Sequence, residues 1–165
     1  MIDALDRLVR GLLVVLKWLA LPVALLLFLQ WPLREGLKAY SREVNDIGQY
    51  LFALFVAASI TAATRTKHHL ASDVIAAGYT ERARRRLALA GMLLGLLPWA
   101  GLVAWAAWPA VAQSVAQAER FPDTGNPGYF VIKIALLLCL VLIIAQSAID
   151  IFKAPPPPPA TDRDR

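Results

Sequence analysis

Apolar residues along this chain gather into four long runs, over about residues 11–30, 48–64, 87–108 and 129–152, separated by shorter polar segments. Each run is close to the ~20 helical residues needed to cross a hydrocarbon core, so the pattern predicts an all-α membrane protein with four transmembrane helices. A fifth pattern lies between the first two. Leu33, Leu37, Tyr40, Val44 and Ile47 recur at alternating spacings of four and three, with Arg34, Glu35, Lys38, Arg42 and Glu43 among the polar remainder. That period predicts an amphipathic interfacial helix over about 33–47, lying on the periplasmic side of the membrane.

Several residues qualify the spans. Arg7 and Arg10 ahead of an apolar run could signal a cleaved leader, but the run is long and Leu29-Gln30-Trp31-Pro32 lacks small residues for cleavage, so it reads as an uncleaved span. Lys17 sits close enough to the start to reach the head groups along its own stem. Pro22 and Pro98 predict kinks. Ala53, Ala57 and Thr61 share one face of the second span, and Gly91 and Gly95 have matching spacing in the third, which predicts small-residue packing of the second span on the third. Residues 109–128 read as a polar, turn-rich loop. Lys133 lies one turn inside the fourth span and can snorkel, while Asp150 and Lys153 are near its far end. Residues 154–165 begin with Pro155–Pro159 and predict a disordered tail.

Composition agrees with the pattern: 58% of residues are hydrophobic and 18% charged, too apolar for an ordinary soluble domain. The net charge of +5 does not suggest nucleic acid, because the basic residues flank apolar runs and so suit anionic membrane lipid. Outside the spans, eleven Lys and Arg fall in the N-tail, central loop and C-tail, against four in the other two loops. The positive-inside rule then expects both termini in the cytoplasm. Trp31, Trp105 and Trp108, with Tyr129, would form an aromatic belt at the outer interface. Cys139 lies within an apolar run, which leaves no internal disulfide and no cysteine metal cluster to consider.

Catalysis needs converging nucleophiles, acids or metal ligands, and a transport path needs polar groups near the midplane. The spans hold almost none, so the sequence predicts neither an enzyme nor a cofactor or metal site. Adjacent His68 and His69 could not ligate one haem from opposite sides. On a helix, His69 and Asp73 would share a face with Arg65 one turn earlier, suiting either a docking contact or a solvated helix end. A stand-alone small transporter and the membrane anchor of a redox complex are the alternative readings.

The order of these features resembles one family, the small permease subunit of tripartite ATP-independent periplasmic (TRAP) transporters, the DctQ-like Q component. Arg65, His69 and Asp73 match its Arg-x-x-x-His-x-x-x-Asp pattern after the second span. Asp46-x-x-Gln49-Tyr50 is similar to the start of that span, and Thr124-Gly125-Asn126-Pro127-Gly128-Tyr129 to the turn before the fourth. His68 and Lys133 depart from the pattern. The resemblance covers about residues 10–153 and implies a scaffold in the bacterial inner membrane. Its partners would be a large permease subunit, a periplasmic substrate-binding protein and membrane lipids. The assembly would take up an organic anion, typically a carboxylate, with sodium.

Overall fold

The computed structural model describes residues 2–36, 42–65 and 79–153. His69, Asp73 and the tail over 154–165 lie outside the described residues, as do the central positions of the amphipathic stripe at 37–41. The helices are α1 (Ile2–Leu16), α2 (Ala20–Glu35), α3 (Arg42–Arg65), α4 (Glu81–Ala90), α5 (Leu97–Ala116) and α6 (Tyr129–Phe152). A 3-10 turn, Lys17–Leu19, joins α1 to α2, and a π-helical segment, Gly91–Leu96, joins α4 to α5. Among the described residues, four helical stretches are long and apolar enough to cross a membrane: Ile2–Leu33, Arg42–Arg65, Arg82–Ala116 and Tyr129–Phe152.

Both irregular segments precede a proline. Pro22 and Pro98 have no N–H to donate, and their rings crowd the carbonyl four residues back. The chain answers by tightening to 3-10 geometry just before Pro22 and widening to π geometry just before Pro98, which keeps each rod helical. Pro109 is also taken within α5, so the helix runs to Ala116, beyond the expected boundary near Trp108. The first helix likewise starts at Ile2, well before residue 11, so Lys17, expected near the start of its span, lies instead at the middle of the stretch in the 3-10 turn. At about 1.5 Å per residue, the first and third stretches reach roughly 48 and 52 Å, so their ends project beyond a ~30 Å hydrocarbon core. The 33–47 stripe is divided: its first residues close α2, while Arg42–Ile47 form the opening turns of α3, continuous with the span.

The last helix is the hub. α6 packs along α3 and α5 and also meets α1, whereas α2 packs on α3 and α4 continues into the π segment. The expected pairing of the second span with the third is therefore corrected: α3 packs on α6. A Cβ added at Gly91 or Gly95 would meet no neighbouring atom within 4 Å, so the two glycines are not in a tight helix contact. The small residues of α3 are used instead against α6 and α1. Ala57, Ala58 and Thr61 are buried, and Ala58 joins Val9 and Leu13 of α1 with Leu142 and Ile149 of α6 in a packed cluster. In lipid such contacts gain from close packing and not from leaving water. Two threonine hydroxyls on this helix bond within it, Thr61 to the Ala57 carbonyl at 3.4 Å and Thr64 to that of Ile60 at 2.9 Å.

Candidate functional site

Two polar clusters hold the buried charge of the described residues, one at each end of the bundle. The first gathers around Asp6. Its neighbours Val9 and Leu13, one and two turns on, are also buried, so the face of α1 that packs into the bundle carries a carboxylate at its end. Asp6 is only 5% exposed. It accepts a hydrogen bond from Arg10 at 2.8 Å, one from Lys153 at 3.0 Å and a short one from Arg65. The other arm of the Arg65 guanidinium donates to Gln146 Oε1 at 3.0 Å, and Gln146 Nε2 donates to Asp150 at 2.8 Å. Lys153 also pairs with Asp3 at 2.8 Å. Those two carboxylates hold the Lys153 ammonium above its ordinary pKa, the Asp3 bond contributing most. Three acids and three bases from α1, the end of α3 and the end of α6 thus form one neutral network, with Arg65 as the fork that spans all three helices.

The second cluster lies at the other end. Asp46, 6% exposed, accepts from the Thr124 hydroxyl at 2.5 Å and from Asn126 Nδ2 at 3.3 Å. This joins two motif segments 78 residues apart. The turn that presents Thr124 is closed by Phe121 N–H to the Asn126 carbonyl and Gly125 N–H to the Phe121 carbonyl, both at 2.8 Å. Gly125 (φ 70°) and Gly128 (φ 129°) take left-handed backbone, and Pro127 opposes Arg120 in a single β-bridge. Gly128 lies against the Tyr50 and Phe121 rings, and Phe121 meets Tyr129 edge-on at 5.5 Å. Beside this turn, Glu119 accepts from Lys133 at 2.5 Å and from the Ser114 hydroxyl. The Lys133 bond, then the Ser114 bond, hold the Glu119 carboxyl below its ordinary pKa. Lys133, expected to snorkel, has its ammonium bonded to Glu119 in the turn at this end of the helix.

Asp46 and Arg65 are nineteen residues apart on α3, about 28 Å along the axis, so the clusters are separated by roughly one hydrocarbon thickness. The buried side chains between them are chiefly apolar. Of the motif residues, Arg65, Tyr50, Gly125 and Pro127 fall within or beside the two clusters, and Gln49 lies on the outer face of α3. Trp31, Trp105 and Trp108 are all well exposed on the bundle surface. Sequence reasoning passed over Asp6 and Gln146. Their signals were an acid four residues before Arg10, and a Gln-x-x-x-Asp pair in an otherwise apolar helix.

Four membrane-crossing helices, with the buried charge among the described residues confined to the ends, define a multi-pass membrane protein. The family described as tripartite ATP-independent periplasmic transporters, DctQ component, matches residues 23–154, and the chain belongs to it. It is thus a small membrane subunit of a TRAP transporter, in the inner membrane, and its family is a transporter component, not an enzyme family. No curated protein and no solved structure matches the chain.

Proposed function

We propose that this chain is a structural subunit: it holds a large permease subunit in the inner membrane while that partner moves the substrate. The transport would be sodium-coupled uptake of an organic anion, typically a carboxylate, delivered by a periplasmic binding protein. One observation carries the reading. Among the described residues, buried charge is confined to the two ends of the bundle and is hydrogen-bonded there, while the buried side chains between are chiefly apolar. Charges along a transport path would instead be buried inside the bundle at depth, and Lys17, which does lie midway along the first stretch, is exposed on its outside. On this reading the Asp6–Arg65 network faces the cytoplasm, and the motif positions His69 and Asp73 follow directly from the helix end that Arg65 fixes. Gln49, Tyr50, Gly125 and Pro127 shape the opposite end.

The test is transport by the reconstituted complex. Replacing His69 and Asp73 together by Ala should lower complex yield or transport rate and leave sodium and substrate affinity unchanged. Replacing Lys17 by Leu should alter neither affinity. Transport or substrate binding by the purified small subunit alone would overturn the proposal.

A further inference from the structure

Among the described residues, one face of α3 is left uncovered from its first turn to beyond its middle, and its character changes along the way. At the top, Arg42, Asn45 and Asp46 meet Asp123 and Thr124 around a polar pocket of about 310 Å³. Below it, Gln49, Phe52, Ala53, Val56, Ala57 and Ile60 line an apolar groove of about 490 Å³, whose far wall on α6 runs from Ile132 to Cys139. The α3 positions advance by threes and fours, so pocket and groove form one continuous stripe. The groove exists because Ala53, Ala57 and Ala135 leave space between the larger side chains.

We propose that this stripe is a binding site for one phospholipid with a zwitterionic amine head group, its head in the polar pocket and one acyl chain in the groove. Depth argues for a lipid over a partner helix. From Gln49 to Ile60 the groove runs about 16 Å, half of a ~30 Å hydrocarbon core and so the reach of one leaflet, whereas a transmembrane helix would seek a seam of full depth. Charge selects the head group. Asp46 is already bonded to Thr124 and Asn126, but Arg42 and Asp123 have no bonded partner among the described residues and are both exposed at the pocket. A cation and an anion on one rim complement a phosphate and an ammonium carried by the same molecule. A lipid with only negative charge would meet Asp123 unfavourably. This site does not depend on which end of the bundle faces the cytoplasm, nor on the scaffold role.

The test uses the full chain in vesicles of mixed phosphatidylethanolamine and phosphatidylglycerol, probed with trace photoreactive analogues of each lipid carrying the reactive group on the acyl chain. Phosphatidylethanolamine should cross-link within Ala53–Ile60 or Ile132–Cys139, in excess over phosphatidylglycerol. Arg42→Gln should lower that labelling about tenfold, as expected for one charge-assisted hydrogen bond. Asp123→Asn should remove the preference between the lipids, and Arg10→Gln, exposed at the other end, should change nothing. Ala57→Phe should block the groove without touching the pocket. Equal labelling by both lipids in the unmodified chain, or labelling unchanged by Arg42→Gln and Ala57→Phe, would overturn the proposal. So would a helix of the large subunit found seated in the groove of the assembled complex.

Discussion

Asp6 shows how one side chain can join three helices. Its carboxylate is bonded to Arg10 on its own helix, Arg65 on α3 and Lys153 beyond α6, yet these contacts are unequal. The Arg10 side chain is 64% exposed, so that pair is screened by water and contributes little. Arg65 is 23% exposed and is held at both ends of its guanidinium. Asp6→Asn should therefore lower the thermal midpoint in detergent by several degrees, while Arg10→Ala leaves it within error. An equal effect of the two would refute this ranking. A different local change should stabilise the chain. Ala118 has φ 46° where α5 ends, and Glu119 N–H returns to the Ser114 carbonyl at 3.0 Å, a Schellman closure that favours glycine at the left-handed position. Ala118→Gly should raise stability by roughly 0.5–1 kcal/mol, measured by denaturant or thermal unfolding.

Among the elements, the turn between α5 and α6 has its own pH response. Glu119 titrates below its usual range because it is bonded to Lys133 and Ser114. A depressed carboxylate contributes its full stability above the unfolded pKa of about 4.3, and the contribution is lost as pH falls through the lower folded value. Thermal melts taken into the acid range should show this loss, and Glu119→Gln should flatten it. Lys153 behaves oppositely: its raised value gives a contribution that is complete below about pH 10.4 and lost as pH climbs through the folded value. The existence of the helices was legible from hydropathy alone, because only length and apolarity are needed to span lipid. Their limits were not. Pro109 reads as a boundary, yet α5 continues past it, and Asp3, Asp6, Arg7 and Arg10 read as a tail, yet all lie in α1. Helix pairing was the least legible feature. Gly91 and Gly95 have the spacing of a contact face, but the same small residues also suit a π segment exposed to its surroundings. The bond between Asp46 and Thr124 was not legible at all, because nothing in the sequence pairs two segments 78 residues apart.

For the whole molecule, the charge asymmetry across the bilayer sets an expected orientation: Arg65, Arg84, Arg85, Arg86 and Lys153 on the cytoplasmic side. A cysteine at Ala83 should be labelled by membrane-impermeant reagents only when the inner face is accessible. Labelling from the periplasmic side would reverse the topology.

The position of α6 also sets an order in time. Spans enter the membrane as the ribosome delivers them, yet the helix against which α1, α3 and α5 pack is the last of the four to be synthesised. Until it arrives, Asp6 has only α1 and α3 to answer it, and the closing bond from Lys153 comes 147 residues later. Before then α1 and α2 can pack on α3, but α5 lacks the helix it packs along. A chain stopped before Tyr129 should insert and then be degraded, and pulse-chase lifetimes of nested truncations should rise sharply only when the stop lies beyond Lys153. A three-span fragment as long-lived as the whole chain would show that assembly does not await its final helix.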